Sequence, residues 1–460
     1  SKTEGKSKTE GKSKTEGKSK TEGKSKTEGK IISKKEANLI RKRNIFKIRK
    51  LFRVRCPTND VKFFSSMSLE EQEYVIEQLE QVNKHSNIDK PYKLAVLESK
   101  IPVEFKVEAL NKINALTSMD PSTGEYTKIK QWIDGFMRIP FSKISRLPIN
   151  ISDGYDKCSQ FMEEAKEILD NCVHGLNDAK MQIMQFIGQL ISNPDSVGSA
   201  IGIHGPPGTG KTTLIKEGIC KILQRPFALI ALGGATDASF LEGHSYTYEG
   251  STWGKVVDIL VTSQTMNPLI YFDELDKISD TPRGEEITGI LTHLIDTSQS
   301  DMFHDKYFST ISFDVSKALY IFSYNDESKI NSVLKDRMYN IYTEGYTSDE
   351  KIVIAKQHLI PKIEKNINFI KGDIVHSDET LTYIIKNLTD GEKGVRNFKR
   401  CLEIIYTKIN LYKLMKPDSS LFDDTDVLEI VTPFDVTEDI VKKLIKNTDK
   451  KKSLPFGLYL

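Results

Sequence analysis

The sequence is poor in cysteine and lacks any long hydrophobic run. Five cysteines lie far apart among 460 residues, without a CxxC spacing, which argues against a metal site or a disulfide framework and fits a reducing compartment. No apolar stretch approaches the roughly 18 residues that a membrane span needs, and no segment resembles a secretory signal. These absences predict an intracellular, cytoplasmic protein without a membrane segment, with a nuclear or viral setting left open.

The first thirty residues contain no hydrophobic side chain at all. They are five copies of the unit SKTEGK. A segment of this kind cannot bury enough apolar surface to offset the entropy lost on ordering. We therefore expect residues 1–30 to be disordered and to act as a weakly cationic spacer, because the units of a folded solenoid would need apolar residues to stack.

Acidic residues are scarce in the stretch that follows the repeats. Residues 31–55 hold ten Lys or Arg and a single acidic residue, Glu36, although the net charge of the whole chain is only +2. A basic arm, residues 31–59, therefore precedes an acidic body. Such an arm can neutralise nucleic-acid phosphates in a salt-dependent way; a solvated tail or a localisation signal is the alternative.

The body of the chain alternates between types of secondary structure. Residues 60–150 indicate charged helices. Four short apolar runs then follow, SAIGIHG, FALIAL, PLIYFDE and ALYIFSYN, separated by longer polar or helical segments, as in a parallel sheet with crossover helices. The sequence predicts an α/β domain at 151–345, a small α-helical domain at 346–432 and a tail at 433–460.

The strongest motif is GPPGTGKT, which follows the first apolar run and precedes a helical pattern. In a P-loop, glycines let the backbone wrap a phosphate while N–H groups and the helix N-terminus point at it. Lys211 is expected to reach the β- and γ-phosphates, and the Thr212 hydroxyl to bind Mg²⁺. A chance glycine-rich turn is the alternative, and the flanking elements disfavour it. The predicted nucleotide-binding residues are Gly205, Pro206, Pro207, Gly208, Thr209, Gly210, Lys211, Thr212 and Thr213.

Polar side chains end two further apolar runs. Asp273 and Glu274 close PLIYFDE at the edge where parallel sheets bind ligands, so we expect Asp273 in the Mg²⁺ shell and Glu274 as the base that polarises the attacking water. An acidic helix start is the alternative. Asn325 closes ALYIFSYN and is expected to contact the γ-phosphate and the water, with a simple turn residue as the alternative. Together these motifs predict a Mg²⁺-dependent ATPase.

Several segments together resemble the AAA+ ATPase module of Lon proteases. They are GPPGTGKTTL, ALGGATDASFLEGHSYTYEGSTWGKVV, NPLIYFDELDKIS, LKDRMYNI, EGYTSDEKIVIAKQHLIPK and GVRNFKRCLEII. The upstream segment SMDPSTGEYTKIKQWIDGFMRIPF extends the resemblance toward residue 60. The resemblance implies an AAA+ P-loop domain of the α/β class, a small helical lid domain after it, and a helical lead-in before it.

The resemblance also implies roles for individual residues. Asn325 matches sensor 1, Arg396 matches sensor 2, and Arg337 matches the arginine finger that acts on the nucleotide of the neighbouring subunit, which requires an oligomer. The family forms hexameric rings that thread unfolded polypeptide through a central pore, where Tyr248 matches the gripping aromatic. His174 takes the place of an aromatic residue beside the adenine. Without the resemblance these would be ordinary surface residues.

The sequence departs from the family pattern in two regions. Glu249 follows Tyr248 where the family has an aliphatic residue, which would disfavour acidic substrate segments, and one residue is inserted between Asn325 and Arg337. A Ser-Lys protease domain has no counterpart among the 28 residues after Thr432. We therefore expect this chain not to cleave peptide bonds by itself.

Three functions remain open at this stage, and all use ATP with Mg²⁺. The first is a homo-oligomeric machine that unfolds or remodels unfolded or tagged polypeptides. The second is the ATPase part of a truncated or split Lon protease, either a fragment of a longer chain or the partner of a separate protease subunit. The third is a nucleic-acid-associated ATPase that uses residues 31–55.

Overall fold

A computed structural model describes the chain in two units, Ser1–Pro91 and Tyr92–Leu460. The repeats predicted to be disordered lie outside the described residues, as do parts of the predicted basic arm and tail. No helix within the described ranges combines the length and hydrophobicity needed to cross a bilayer. The described residues are 34–51, 60–86, 91–196, 198–235, 237–414, 430–431 and 433–445.

The first unit contains three helices with a small core. Its helices are α1 Lys34–Leu51, α2 Asp60–Ser66 and α3 Leu69–Ser86. One apolar residue from each helix is buried, namely Ile48, Phe64 and Ile76. The buried amide of Gln72 donates to the Phe64 carbonyl at 3.0 Å, so this polar group is satisfied. The helix α1 carries the described part of the predicted basic arm.

The second unit is an α/β structure with additional helices. Its strands are β1 Ala200–His204, β2 Phe227–Ala231, β3 Leu269–Asp273, β4 Phe303–His304, β5 Ser312–Phe313, β6 Leu319–Tyr324, β7 Tyr339–Tyr342, β8 Ile374–His376 and β9 Phe434–Val436. Its helices are α4 Tyr92–Glu98, α5 Val103–Thr117, α6 Gly124–Arg138, α7 Tyr155–Cys172, α8 Asn177–Ser192, α9 Lys211–Thr213, α10 Cys220–Leu223, α11 Ser239–Glu242, α12 Lys255–Ser263, α13 Pro282–Ile295, α14 Ser332–Asp336, α15 Ser348–Ile354, α16 Ile360–Ile367, α17 Asp378–Leu388, α18 Arg396–Leu414 and α19 Glu438–Leu444. The π-helical segments Leu214–Ile219 and Ala355–Leu359 join α9 to α10 and α15 to α16.

The main sheet has five parallel strands in the order β2-β3-β6-β1-β7. The four apolar runs form β1, β2, β3 and β6, which confirms the predicted α/β class and parallel sheet. The sequence analysis missed the edge strand β7. Its only buried residue is Ile341, so it lacks the continuous apolar run by which buried parallel strands are recognised.

Both faces of this sheet are covered. Successive side chains of a strand point to opposite faces, and accordingly Leu269 and Tyr271 join a core with α7 and α8. Ile270 and Phe272 join the other core, which includes α6 and α12. Coverage on both faces explains why the central strands are apolar throughout and why the polar site lies at their carboxyl ends.

The helix α6 packs with α4 and α5 in the second of these cores. It begins after Thr123, whose side chain accepts a hydrogen bond from the Tyr126 amide at 3.3 Å, and it ends at Arg138, shortly before Pro140, a residue that cannot continue a helix. Trp132 and Phe136, one turn apart on its buried face, stack with ring centroids 5.1 Å apart.

The small domain extends further along the chain than predicted. Strand β9 pairs in parallel with β8, and Val436, Val441 and Leu444 are buried in the same core as α17 and α18. The sequence analysis had assigned residues 433–460 to a tail, and the described part of that range differs from this assignment. A short strand and a two-turn helix give too little periodicity to be recognised before they are packed.

The core of the small domain contains a histidine that should make its stability sensitive to acid. Burial lowers the pKa of His376 to about 4 from its ordinary 6.5, and within the described structure neither ring nitrogen has a hydrogen-bond partner. The unfolded chain therefore binds the proton more readily, so stability is intact above pH 6.5 and falls as the pH drops toward 4. We expect a loss of about 3 kcal/mol in unfolding free energy between these limits.

The replacement His376→Phe tests this expectation because it removes the titrating group and keeps an aromatic ring beside Tyr406. In urea unfolding at a series of pH values, the free energy of unfolding of the variant relative to wild type should rise by about 3 kcal/mol between pH 6.5 and 4. Parallel curves from pH 6.5 to 4 would contradict the assignment.

Candidate nucleotide site

The glycines of the P-loop are required by its backbone and by its neighbours. Gly205, Gly208 and Gly210 have φ values of 146°, 80° and 89°, conformations that residues with a Cβ rarely adopt. A Cβ on Gly208 would lie 3.0 Å from the Arg396 amide nitrogen. The loop therefore passes directly under the N-terminus of α18, and the Val395 amide donates to the Gly208 carbonyl at 3.1 Å.

Lys211 connects the loop to the end of strand β6. Its ammonium group donates to the Gly205 carbonyl at 2.7 Å, to the Pro206 carbonyl at 3.2 Å and to the Asn325 side-chain oxygen at 3.3 Å. Burial lowers the pKa of Lys211 to about 8, while the charge of Asp273 opposes this shift. A desolvated ammonium beside the phosphate loop is a strong attractor for a polyanion.

Oxygen atoms cluster around Asp273 at the end of β3. The Tyr271 hydroxyl donates to its carboxylate at 3.2 Å and lies 3.1 Å from the Thr212 hydroxyl, and the Ser323 hydroxyl also donates to it. Tyr271 and Ser323 were missed by the sequence analysis because each looks like an ordinary strand residue. The described residues hold no group of three or more His, Cys, Asp or Glu suited to a metal, but Mg²⁺ at a nucleotide needs fewer protein ligands because the phosphates supply oxygens.

Glu274 has a left-handed backbone, with φ 61° and ψ 45°, which is uncommon for a residue with a side chain. Its carboxylate lies against Gly233, where an added Cβ would come within 2.3 Å of an oxygen of Glu274. The side chain thus reaches the turn Leu232–Gly234 that follows strand β2. Strained backbone at such a point is typical of functional sites.

These residues line one cavity of about 480 Å³ between the large and small domains. The predicted site residues that line this cavity are His174, Pro207, Gly208, Thr209, Gly210, Lys211, Thr212, Thr213, Asp273, Glu274, Asn325 and Arg396. Gly205 and Pro206 bind the Lys211 ammonium from the same loop. The volume is suited to a nucleotide-sized ligand.

The end of the cavity beside His174 is closed by the small domain. His358 lines it, and burial together with the charges of His174 and Lys180 lowers the pKa of His358. At the same end, the ammonium group of Lys362 lies 3.6 Å from the Glu217 carboxylate. A bound nucleotide would therefore touch both domains.

Two predicted residues lie elsewhere. Arg337 follows α14 and donates to one Asp296 carboxylate oxygen at 2.9 and 3.1 Å, and its side chain is partly exposed. Tyr248 lies on the loop before α12 and is 67% exposed. Neither side chain lines the cavity of its own chain.

Tyr346 is a site residue that the sequence analysis did not single out. Its hydroxyl lies 2.7 Å from the Thr209 carbonyl and 3.1 Å from the His174 carbonyl, donating toward both, while its amide donates to the Lys393 carbonyl at 2.8 Å. Burial raises the pKa of Tyr346 to about 12. One residue therefore joins the P-loop and the His174 segment through its hydroxyl, and the Lys393 segment through its backbone amide.

Removing the hydroxyl of Tyr346 should weaken nucleotide binding. The change Tyr346→Phe leaves two carbonyls without their donor, so the cavity wall loses its link to the P-loop. We expect the Kd for ATP to rise about fivefold or more, measured by calorimetric titration. Tyr383→Phe, which removes a hydroxyl elsewhere in the small domain, is the matched control, and equal Kd values for both variants would contradict the role.

Comparison with known proteins identifies the class of protein. Residues 201–346 match the family described as AAA, the ATPase family associated with various cellular activities. The sheet order, the P-loop and the cavity between the two domains agree with this match. The chain therefore contains a nucleotide-binding AAA+ ATPase domain.

The most similar relatives specify the type of module. A Lon protease homolog of Acanthamoeba polyphaga mimivirus is 35% identical over 324 residues, which cover 67% of this chain and 32% of the relative. The mitochondrial Lon protease homolog of Yarrowia lipolytica is 32% identical over 342 residues, which cover 74% of this chain and 28% of the relative. The Lon protease of Aquifex aeolicus is 32% identical over 347 residues, which cover 75% of this chain and 40% of the relative. The chain thus carries a Lon-like AAA+ module, which confirms the resemblance, and the matched region covers 28 to 40% of these relatives' length.

Proposed function

We propose that this chain hydrolyses ATP and uses the reaction to unfold or remodel polypeptides as a ring-shaped homo-oligomer, a hexamer. The observation that carries the proposal is the convergence of Lys211, Asp273, Glu274, Asn325 and Arg396 on one cavity between two domains. These residues come from four separate segments, since Asp273 and Glu274 are adjacent, and they supply the phosphate-binding, metal-binding and water-polarising groups that phosphoryl transfer to water needs from one chain.

The residues divide the chemistry among them. Lys211 exchanges its loop carbonyls for the β- and γ-phosphates when ATP enters. The Thr212 hydroxyl and the Asp273 carboxylate would hold Mg²⁺, which would neutralise phosphate charge when bound. Glu274 accepts a hydrogen bond from the attacking water and polarises it, while Asn325 orients the same water and the γ-phosphate.

Arg396 and Arg337 complete the site from two directions. Arg396 begins α18 above the P-loop, so it contacts the phosphates from the small domain of the same chain. Arg337 lies outside its own cavity, on the surface beside Asp296, and is placed to serve a neighbouring subunit. A guanidinium supplied in trans makes hydrolysis dependent on the oligomer.

Polypeptide is proposed to bind at the exposed loop that carries Tyr248. An exposed aromatic side chain grips a chain of any sequence through its apolar face. The adjacent Glu249 adds a negative charge, so neutral or basic segments should be preferred over acidic ones.

A proteolytic system is the second candidate, favoured by the names of the relatives, which are Lon proteases. In that case the ATPase delivers polypeptide to a peptidase on a longer chain or on a separate subunit. Incubation of the purified chain with ATP and casein tests whether this chain cleaves peptide bonds itself, and ATP-dependent fragments would show that it does. Intact casein with stimulated ATP turnover shows remodelling by this chain, and a peptidase partner is then sought by adding fractions of the source cell extract and looking for ATP-dependent casein fragments that require the chain.

Removing the aromatic ring at position 248 tests the grip. In Tyr248→Ala we expect the stimulation of ATP turnover by unfolded polypeptide to fall about tenfold or more, because truncation of a central aromatic contact typically costs 2 kcal/mol or more. ATP turnover of the same variant without polypeptide should be unchanged and serves as the internal reference. Tyr155→Ala is the control, since Tyr155 is 82% exposed on another surface; equal stimulation in the two variants would refute the grip.

A further inference from the structure

The loop that carries Tyr248, residues 244–253, is closed at its base by backbone contacts. The His244 amide donates to the Thr252 carbonyl at 3.1 Å. Gly243, with φ 80°, and Gly254 flank the loop, and a Cβ on Gly254 would lie 2.5 Å from the Gly243 nitrogen. The two ends of the loop therefore pass one another in direct contact. We call residues 244–253 the Tyr248 loop.

A buried carboxylate, Asp305, lies at this base. Asp305 is 0% exposed, and one of its oxygens accepts the Gly254 amide at 2.7 Å. The other oxygen accepts the amides of Tyr307 at 2.8 Å and Phe308 at 3.3 Å, and it would lie 3.1 Å from a Cβ on Gly243. One side chain thus touches both ends of the Tyr248 loop and the segment after β4.

Aromatic packing attaches the end of the loop to the same segment. The ring of Trp253 lies 5.8 Å from that of Tyr307 and 6.0 Å from that of Phe308. It also packs over Gly135 of α6, where a Cβ would come within 2.7 Å of the indole. The loop is therefore held by Trp253 on one side and by the Asp305 carboxylate at its base.

Keeping a carboxylate at this position is energetically costly. Burial raises the pKa of Asp305 to about 6, although its three backbone donors lower it. Its bonds go to backbone amides, and the nearby Glu242 adds repulsion while pairing with Lys306. An apolar side chain would leave three buried backbone amides without an acceptor, so the carboxylate is kept here because it holds these backbone segments together.

We propose that Asp305 is a positioning residue that orients the Tyr248 loop toward polypeptide. This inference rests on the proposed function, because it assumes that the loop is the grip. The carboxylate ties the end of the loop to the segment after β4, so the direction of Tyr248 is set by the rigid part of the domain. Loss of these hydrogen bonds frees the Tyr248 loop and leaves the nucleotide cavity unchanged.

The variant Asp305→Asn breaks this tie with the least change in shape. An asparagine offers one acceptor oxygen and one NH₂ group in place of two carboxylate oxygens. Either the Gly254 amide or the Tyr307 and Phe308 amides must therefore face the asparagine NH₂ group, which is itself a donor. We expect ATP turnover without polypeptide to stay within about twofold, while the concentration of carboxymethylated α-lactalbumin that half-saturates stimulation rises about fivefold to 30-fold. Asp314→Asn is the control, because the Asp314 carboxylate accepts from Ser316 rather than from the loop.

A pH profile distinguishes positioning from a general loss of structure. Protonation of Asp305 removes the same acceptor, so half-saturation in the wild type should rise as the pH falls from 7.5 to 5.5, with a midpoint near the pKa of about 6, and should be flat in Asp305→Asn. The ionisable groups that face Asp305 are Glu242 and Tyr307, with Lys306 paired to Glu242. All of them, and His244 in the loop, are retained in the variant, so a flat profile in Asp305→Asn assigns the wild-type pH dependence to Asp305.

The outcomes separate this inference from the proposed function. If Tyr248→Ala loses stimulation and Asp305→Asn does not, the positioning role is wrong and the grip stands. If Tyr248→Ala keeps full stimulation, the proposed grip itself is wrong. If Asp305→Asn does not fold, the profile is measured in His244→Gln, where a midpoint near pH 6 supports the positioning role and a flat profile overturns it.

Discussion

Replacing Glu274 by glutamine is expected to abolish ATP turnover while ATP still binds. Glutamine is similar in size and keeps the reach toward Gly233, but it is a much weaker base than a carboxylate. Lys211, Thr212 and Asp273 remain, so the phosphates and Mg²⁺ keep their contacts. The loss of a general base lowers turnover by about 10²- to 10⁴-fold, whereas the Kd for ATP should stay within about threefold.

The measurement pairs steady-state phosphate release with calorimetric titration of ATP in the presence of Mg²⁺. Glu285→Gln is the matched control, because Glu285 is an exposed carboxylate on the first turn of α13 with no place in the cavity. Turnover in Glu274→Gln comparable with that of the control would remove Glu274 from the reaction. A loss of ATP binding would indicate instead that Glu274 shapes the pocket.

Replacing Arg337 by alanine is expected to reduce turnover by about 10³-fold, the effect typical of an arginine that acts in trans. Nucleotide binding to the same chain should persist, because Arg337 lies outside its own cavity and pairs with Asp296. Hydrogen bonds from the hydroxyl and amide of Ser298, and then from Arg337, lower the pKa of Asp296 to about 2, so this partner is ionised at neutral pH. Arg146→Ala, which removes a surface arginine 3.6 Å from Asp195, is the control.

A mixing experiment tests whether the arginine acts across a subunit boundary. Glu274→Gln chains supply an intact Arg337, and Arg337→Ala chains supply an intact Glu274. A mixed oligomer therefore contains sites in which both groups are present, and activity should reappear on mixing two inactive preparations. Absence of recovery in an assembled mixture would show that the arginine acts within its own chain or not at all.

The parts of the site that the sequence made predictable are those that depend on local chain geometry. A P-loop is a continuous segment between a strand and a helix, so its role follows from neighbouring residues. Asp273 and Asn325 each close an apolar run, and parallel strands end at one edge of a sheet. Their convergence with Lys211 was therefore predictable without knowing how the helices pack.

The residues that were missed act through distant contacts. Tyr346 looks like a loop tyrosine until its hydroxyl is seen between the Thr209 and His174 carbonyls. Asp305 looks like a surface aspartate until three backbone amides are found around it. Nothing in the sequence near either residue indicates the partners that matter, because the Thr209 and His174 carbonyls lie far from Tyr346 in the chain and Gly254 lies 51 residues from Asp305.

The sequence alone determined the class of fold, the phosphate loop and the acidic pair, because hydrophobic periodicity and glycine placement act over a few residues. Only the tertiary structure decided that β9 and α19 complete the small domain, that β7 forms the sheet edge and that Asp305 ties the base of the Tyr248 loop. These features depend on burial against partners that are distant in sequence. Burial decides whether a short element such as β9 or α19 becomes part of a core, and whether a carboxylate such as Asp305 becomes a buried acceptor of backbone hydrogen bonds.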